Sequence, residues 1–363
     1  MELPMLHKDE EAILSLRALY ERYGYRKYKM SKFEEYDFYA RNKSFLQSGS
    51  ILTFSDLSGR LMALKPDVTL SIVKNAVGSG TEKLYYNENV YRAVGQEFRE
   101  IMQVGLECIG PLDRYASAEV AWLAEESLRT IGGAYILDLS HVGMCAGLLE
   151  ETGLPEEERQ DLADRISEKN TAGLRERCDR LQVSADLTDR LTSLAELYGP
   201  FEEVWPAARA LSVNDTTDGA LEELSELYEI LRLLGGGDHV NLDFSLRGDM
   251  SYYSGVIFQG FIEGLPRAVL TGGQYDNLLH RMGREDGAIG FAVSMGLLER
   301  LGSGDASYDV DTLVRYDAGT APSVLAETVR RLAAEGRSLR VIRTEEEPVT
   351  ARETITLTGG GRA

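Results

Sequence analysis

The chain is poor in basic residues relative to acidic ones. Its 363 residues include 39 Lys and Arg against 59 Asp and Glu, which gives a formal net charge of −20. Because affinity for phosphate backbones comes largely from Lys and Arg, this balance argues against a broad nucleic-acid surface. A local basic patch is still compatible with it.

Cysteine and histidine are also scarce. Cys108, Cys145 and Cys178 are scattered and odd in number, which indicates a reducing cytoplasm and neither a disulfide framework nor a zinc site. The four histidines have no metal-ligand spacing. The sequence therefore predicts no metal and no other cofactor.

Long hydrophobic runs are missing as well. No apolar run approaches the roughly 20 residues that a membrane helix needs, and the first residues lack the basic-then-apolar pattern of a signal peptide. We therefore expect a cytoplasmic protein without a membrane segment. The length and the hydrophobic content of 43% are sufficient for two or three domains and a large core.

The order of helical and strand-like patterns predicts an α+β protein in four parts. Residues 1–150 mix both patterns and are interpreted as the first part of a core. Residues 151–238 are helical, with 21 Asp and Glu against 9 Lys and Arg, and indicate an acidic helical insertion. Residues 239–304 return to strands and complete the core. Residues 305–363 predict a small α/β tail that ends in a frayed glycine run.

Local signals place several elements within these parts. A helix is predicted over Glu10–Tyr25, and a hairpin over Ile51–Leu64 that ends at Pro66. A helix follows from Thr69, and a second hairpin lies between Lys83 and Gly110. Further predicted elements are a helix over Ala116–Ile131, a strand over Ala134–Leu139, a strand running into a helix over Gly287–Leu301, and two strands with a helix in the tail.

Paired tyrosines provide the most informative local signal. Tyr252 and Tyr253 are interpreted as lying on a strand, and Gly272-Gly273 as a turn near it. Tyrosine hydroxyls donate and accept hydrogen bonds, and glycines let the backbone approach a ligand, so these residues predict the wall of a small polar pocket. The alternative is simple packing, since strands favour aromatic residues.

Four segments, in one order along the chain, resemble the catalytic core of histidyl-tRNA synthetases. They resemble more closely the paralogues of those enzymes that serve as regulatory subunits of ATP phosphoribosyltransferase. The resemblance covers residues 8–301, with the insertion only loosely matched. The segments are Phe54–Thr69, Val90–Glu107, Ser251–Phe258 with Gly272–Asp276, and Gly290–Leu297.

The resemblance implies a binding site for L-histidine. It assigns Asp67 and Thr69 to the α-amino group, which suits a carboxylate and a hydroxyl. Gln103 and Glu107 match positions that contact the ligand; four residues apart, they share one face of a strand. A carboxylate at position 107 also suits an imidazole N–H. The implied histidine-binding residues are Asp67, Thr69, Arg92, Gln103, Glu107, Tyr252 and Tyr253.

Two of these assignments have simpler alternatives. Asp67 and Thr69 are ordinary residues for capping the helix that follows them. For Glu107 the alternative to a ligand contact is a structural ion pair on a strand face.

Positions that serve ATP binding and catalysis in the synthetases are altered, and the loop of the second segment is shorter. The altered positions are Val94 for a glutamate that reads adenine, Gly248 for the catalytic arginine with Arg247 beside it, Ser251 for an aspartate, Gln274 for an arginine, and Leu297 for the arginine that clamps the triphosphate. The resemblance therefore implies retained histidine contacts and no catalytic residues.

The leading hypothesis is a non-catalytic regulatory subunit that binds histidine as an effector. The resemblance implies a six-stranded antiparallel sheet of the class II aminoacyl-tRNA synthetase type, flanked by helices. It also implies a homodimer, formed through the N-terminal helix region, within a hetero-oligomer with a short-form catalytic ATP phosphoribosyltransferase. A divergent histidyl-tRNA synthetase is the main alternative. An interaction protein that binds no histidine is a third possibility.

Overall fold

The computed structural model describes residues 8–43, 46, 50–75, 80–246, 252–302, 308–347, 349–359 and 361–362. Residue contacts divide the chain into two units. The larger unit is Glu11–Leu298, and the smaller one combines the first ten residues with those from Glu299 onward. The run Gly302-Ser303-Gly304, whose composition predicts a linker, lies mostly outside the described residues.

The helices of the larger unit fall into a core set and an insertion set. Those of the core are α1 (Lys8–Arg22), α2 (Tyr36–Arg41), α3 (Thr69–Asn75), α4 (Arg114–Ile131), α5 (Val142–Glu150) and α11 (Asp276–Arg281). Those of the insertion are α6 (Glu156–Ser167), α7 (Thr171–Arg180), α8 (Ala185–Glu196), α9 (Phe201–Ala210) and α10 (Asp215–Leu233). A 3-10 helix follows at Met295–Gly302, where an α-helix was predicted.

The strands of this unit form one large and one small sheet. Those of the large sheet are β1 (Arg26–Lys27), β5 (Glu82–Val94), β6 (Glu97–Gly110), β7 (Tyr135–His141), β8 (Tyr198–Pro200), β9 (Val240–Asp243), β10 (Val256–Ile262), β11 (Leu270–Gln274) and β12 (Gly287–Ser294). Those of the small sheet are β2 (Phe33–Glu35), β3 (Thr53–Ser55) and β4 (Leu61–Leu64).

Among the described residues, the large sheet has nine strands in the order β1-β5-β6-β12-β11-β10-β7-β9-β8. The six strands from β5 to β7 in this order pair antiparallel throughout, in agreement with the predicted six-stranded sheet. The sheet is nevertheless larger than predicted. Strand β1 adds to one edge in parallel, while β9 and β8 extend the other.

The β5–β6 hairpin is the longest element of the sheet and confirms the predicted hairpin between Lys83 and Gly110. Val94 pairs with Glu97, so only Gly95 and Gln96 form the turn. Gly95 has a φ of 65°, which a two-residue hairpin turn of this hand requires and which glycine adopts without a Cβ clash. The other predicted hairpin is also present as β3 and β4.

Helix caps mark the beginnings of the main helices. The Asp113 side chain accepts a hydrogen bond from the Ala116 N–H at the start of α4. In the insertion, Asn214 and Thr217 form a reciprocal capping box at the start of α10. Helix α10 packs against α4 and α5 of the core, and Arg114 of α4 pairs with Glu226 of α10. The insertion is thereby attached to the core next to the end of β7.

The smaller unit has its own sheet, in the order β14-β13-β15-β16. Its elements are β13 (Val310–Tyr316), α12 (Pro322–Ala334), β14 (Leu339–Arg343), β15 (Ala351–Thr358) and β16 (Gly361–Arg362). Val314, Leu332 and Leu357 form its apolar cluster. The prediction of a frayed glycine end was wrong, because the Gly359 N–H donates to the Asp317 carboxylate and β16 pairs with β15.

The patterns in the sequence missed several elements, including α2, α11 and β15. Their runs are too short or too polar to show a clear period. Within the described ranges, none of the helices combines the length and hydrophobicity needed to cross a bilayer.

Candidate functional site

A cavity of about 660 Å³ opens at the centre of the larger unit. Strands β6, β10, β11 and β12 provide one wall, and the turn before α3 provides another. Helix α6 of the insertion and the ends of β7 and β9 contribute further lining residues. The structure brings all seven residues predicted for a ligand site to this one cavity, namely Asp67, Thr69, Arg92, Gln103, Glu107, Tyr252 and Tyr253.

Glu107 is the most buried charged group of the cavity, with 2% of its surface exposed. The Thr69 hydroxyl donates to its Oε1 at 2.7 Å, and the Tyr275 hydroxyl donates to its Oε2. Burial raises the pKa of Glu107 to about 8, although these two hydrogen bonds oppose the shift. Among the described residues, the partners that hydrogen-bond Glu107 are these two hydroxyls, and no Lys or Arg there forms an ion pair with it.

Glycines on the neighbouring strands leave room for this carboxylate. Gly290 of β12 pairs directly with Glu107 of β6. A Cβ at position 290 would lie 1.8 Å from Glu107 Oε2 and 2.5 Å from the Leu106 carbonyl oxygen. A Cβ on Gly272 of β11 would clash with the backbone of Gly290 and the side chain of Phe291. The buried carboxyl therefore depends on the absence of side chains across the sheet.

Asp67 acts both as a helix cap and as a cavity residue. Its Oδ1 accepts a hydrogen bond from the Leu70 N–H at 2.9 Å, which confirms the capping interpretation for Asp67, whereas the Thr69 hydroxyl donates to Glu107. Its Oδ2 lies 3.3 Å from Arg92 Nη2, and Arg92 Nε donates to the Pro66 carbonyl at 2.7 Å. Arg92 thus fixes the turn that carries Asp67 and orients the carboxylate along the cavity wall.

A buried ion pair anchors the same turn to strand β5. Lys65 is fully buried, and its Nζ lies 2.9 Å from Glu88 Oε2. Burial lowers the pKa of Lys65, whereas Glu88 favours the charged amine. The Lys65 carbonyl also accepts a hydrogen bond from the Tyr91 N–H. These contacts hold Asp67 and Thr69 beside the long hairpin.

The two predicted tyrosines lie in the cavity but on a different element than expected. Tyr252 and Tyr253 precede β10, which begins at Val256. Gly272 and Gly273 lie within β11 and not in a turn. Strand β11 pairs antiparallel with β10 on one side and with β12 on the other, and both glycines take part in this pairing.

Three aromatic rings pack at this end of the cavity. The rings of Tyr252 and Tyr253 meet edge to face at 4.8 Å, and Tyr252 lies 5.7 Å from the Tyr275 ring. Burial raises the pKa of all three hydroxyls, so they remain neutral hydrogen-bonding groups near pH 7.

Several positions differ from the synthetase motifs. Those among the described residues are exposed, bonded to another side chain or buried as apolar residues. Val94 is 40% exposed at the end of β5, and the short turn beside it leaves no extended loop. Gln274 donates to the Asp276 carboxylate at 2.6 Å. Leu297 is buried, so no charged group occupies its position. Two further positions that differ from the motifs, Gly248 and Ser251, lie outside the described residues, and so does Arg247.

Reasoning from the sequence missed part of the cavity lining. Tyr275, which hydrogen-bonds Glu107, was visible in the Gly-Gly-Gln-Tyr-Asp run but received no role. Asp164 and Ser167 of α6 also line the cavity, and so does Gln259 of β10. No sequence signal marked Asp164 or Ser167, because the insertion matches no motif and its charges resemble an ordinary solvated helix face.

Comparisons with known proteins agree with the fold and with the motifs. The profile of the histidyl-tRNA synthetase family matches residues 3–298. The ATP phosphoribosyltransferase regulatory subunit of Oceanobacillus iheyensis is 29% identical over 346 residues, which cover 93% of this chain and 85% of that protein. The ATP phosphoribosyltransferase regulatory subunit of Caldanaerobacter subterraneus subsp. tengcongensis is 31% identical over 314 residues, which cover 83% of this chain and 81% of that protein.

A crystal structure gives the same result for the fold. It is titled as an ATP phosphoribosyltransferase regulatory subunit/histidyl-tRNA synthetase from Bacillus halodurans and matches with a TM-score of 0.80 at 26% identity. The match covers 97% of this chain and 94% of that chain. The larger unit thus has the class II aminoacyl-tRNA synthetase fold. The chain belongs to the histidyl-tRNA synthetase family, on the side of that family that contains the ATP phosphoribosyltransferase regulatory subunits.

Proposed function

We propose that this protein is a non-catalytic regulatory subunit of ATP phosphoribosyltransferase and that its cavity binds L-histidine. The observation that carries the proposal is the convergence of Asp67, Thr69, Gln103 and Glu107 on one cavity. These groups include a carboxylate beside an arginine, a buried carboxyl and an amide. An amino acid that carries an ammonium, a carboxylate and an imidazole offers a partner to each of them.

The chemistry of the ligand fits the cavity in a specific orientation. Asp67, at the start of α3, receives the α-ammonium, and the amide of Gln103 donates to the α-carboxylate, while Arg92 holds Asp67 in place. Glu107 and the tyrosines around it receive the imidazole ring, whose N–H groups need buried acceptors and whose faces pack on aromatic rings. Because Glu107 is already hydrogen-bonded by two hydroxyls, it is held in one orientation before the ligand arrives.

The altered positions support a role without catalysis. A bidentate arginine is hard to replace at a phosphate, and the corresponding position here is the buried Leu297. Gln274, which replaces another arginine, is engaged with Asp276. An ATP site therefore lacks groups that the synthetase chemistry uses, whereas the residues that the resemblance assigns to histidine all line the cavity.

The names of the relatives suggest the partner, a catalytic ATP phosphoribosyltransferase subunit, and the resemblance in sequence implies its short form. In the proposed assembly, in the cytoplasm, a dimer of this chain associates with that subunit. Bound histidine then inhibits the first step of histidine biosynthesis. Thermodynamic linkage requires that histidine bind the inhibited assembly more tightly than the active one.

Calorimetric titration of the full chain tests the proposal, first with L-histidine and then with ATP in the presence of histidine. We expect saturable histidine binding, no ATP binding, and loss of at least tenfold in histidine affinity in Glu107→Gln, because the isosteric amide removes the buried carboxyl. Glu229→Gln, at an exposed position of α10, serves as the matched control and is expected to bind as the wild type does.

Other outcomes favour other functions. Histidine-dependent ATP binding, together with histidine-dependent exchange of pyrophosphate into ATP, would support a divergent histidyl-tRNA synthetase. Absence of histidine binding by the chain alone and by its mixture with the catalytic subunit from the same genome would contradict the proposal. An interaction protein without a histidine site would then remain.

A further inference from the structure

Two separate segments of the larger unit form neighbouring parts of the cavity wall. Ile166 and Ser167 lie at the end of α6, in the insertion. Phe244 and Leu246 follow β9, in the core. The cavity therefore keeps its shape only if the end of α6 and the segment after β9 stay next to each other.

One ion pair links these two segments. Lys169, two residues after Ser167, places its Nζ 3.0 Å from Oδ2 of Asp243, the last residue of β9. The Lys169 Nζ also lies 4.8 Å from the centre of the Tyr198 ring. Asp243 is only 6% exposed, and its Oδ1 accepts hydrogen bonds from the Ser245 N–H and hydroxyl.

The surroundings make this cation more important than an ordinary surface lysine. Asp138 of the neighbouring strand β7 is also buried, and its negative charge faces that of Asp243. Lys169 pairs with Asp243, and its charge also lowers the pKa of Asp138, whose Oδ1 accepts a hydrogen bond from the Asn241 amide. A buried carboxylate that loses its cation is costly, whereas an exposed pair contributes little.

The backbone at Lys169 gives an independent observation. Its φ is 51°, in the left-handed region that residues with a Cβ adopt only at a cost. The Lys169 N–H donates to the Ile166 carbonyl and the Asn170 N–H donates to the Arg165 carbonyl, so this residue ends α6. This cap fixes the point at which the chain turns away from α6 and from which the Lys169 side chain reaches Asp243.

We propose that the Lys169–Asp243 ion pair is a latch that holds the end of α6 against the cavity and sets how long the cavity retains its ligand. The identity of the ligand rests on the proposed function, while the latch itself does not. Opening of the pair moves the α6 wall away from Phe244 and lets the ligand leave. Lys169 is thus a positioning residue that joins the two segments behind the wall and does not itself line the cavity.

Hydrogen–deuterium exchange of the full chain, without and with L-histidine, tests the latch. Lys169→Met keeps the aliphatic stem and removes the charge. In this variant we expect the amides of α6 to exchange at least tenfold faster in the absence of histidine, with no change in β6. We also expect histidine to dissociate about tenfold faster. Lys169→Arg is expected to restore both values, because it restores the cation.

Arg175→Met is the matched control. It removes an ion pair of 2.7 Å to Asp189 in the same insertion, but both partners are exposed. We expect no change in the exchange of α6. Unaltered α6 exchange in Lys169→Met, or failure of Lys169→Arg to restore it, would overturn the latch. If the wild type binds no histidine, the proposed function fails, and the exchange rates without ligand still decide whether the latch exists.

Discussion

At the scale of single residues, Glu107 determines the character of the cavity. Its carboxyl is enclosed by the Thr69 and Tyr275 hydroxyls and by the backbone around Gly290. Burial favours the neutral form more strongly than the two hydroxyls favour the charged one, and its pKa rises to about 8. The folded protein therefore holds a proton at this site that the unfolded chain releases near pH 4.5.

This proton makes the stability of the fold depend on pH. Because the folded-state pKa is raised, the stabilisation from Glu107 is complete below about pH 4.5 and is lost as the pH rises through about 8. Glu107→Gln cannot titrate. We expect the free energy of unfolding of the wild type, relative to that of Glu107→Gln, to fall by roughly 2–4 kcal/mol between pH 5 and pH 8. Urea unfolding at several pH values measures the difference.

The comparison with the variant is needed because other groups titrate in the same range. Burial also raises the pKa of Asp138, to about 6, and this group contributes equally to both proteins. A difference between wild type and Glu107→Gln that stays constant over this pH range would contradict the predicted protonation of Glu107.

At the scale of secondary-structure elements, the register between β6 and β12 positions Glu107 opposite Gly290. In Gly290→Ala the new methyl group collides with the carboxyl and with the Leu106 backbone. The carboxyl has to turn away, and the contact of 2.5 Å with the Leu106 carbonyl oxygen also forces a local shift of the ladder. We expect a loss of about 1–3 kcal/mol in the free energy of unfolding and a loss of at least tenfold in histidine affinity, measured by urea unfolding and calorimetry.

Gly219→Ala is a control that is expected to raise the free energy of unfolding. Gly219 lies within α10, and a Cβ there meets no atom within 4 Å. Alanine is expected to stabilise the helix by about 0.5–1 kcal/mol and to leave histidine binding unchanged. Equal effects of the two substitutions would show that the contact with Glu107 is not the cause.

At the scale of the whole molecule, the cavity belongs to one unit. Its lining residues fall between Leu46 and Ala292, whereas the smaller unit has its own sheet and apolar cluster. We expect a variant that ends at Gly302 to fold and to bind histidine with an affinity within about threefold of the full chain, since a unit with its own core can fold alone. Calorimetry measures the affinity.

Circular dichroism and urea unfolding of the shortened chain have to accompany this experiment. A cooperative transition establishes that the shortened chain is folded. A folded variant that no longer binds histidine, while the full chain does, would show that the smaller unit contributes to the site.

The sequence alone determined much of the core and most of the candidate site. The two hairpins were predictable because strand periods and turn residues act locally, over a few residues. Asp67 and Gln103 were predictable because their motifs resemble those of a family. The same resemblance indicated the six antiparallel strands at the centre of the sheet.

Only the tertiary structure decided what surrounds these residues. Tyr275 lies 168 positions from Glu107 and Lys169 lies 74 from Asp243, and no local pattern connects residues so far apart. The raised pKa of Glu107 likewise follows from burial, which depends on every strand around it. The residue types were therefore readable from the sequence, whereas their burial, protonation and partners arise from long-range packing of the folded chain.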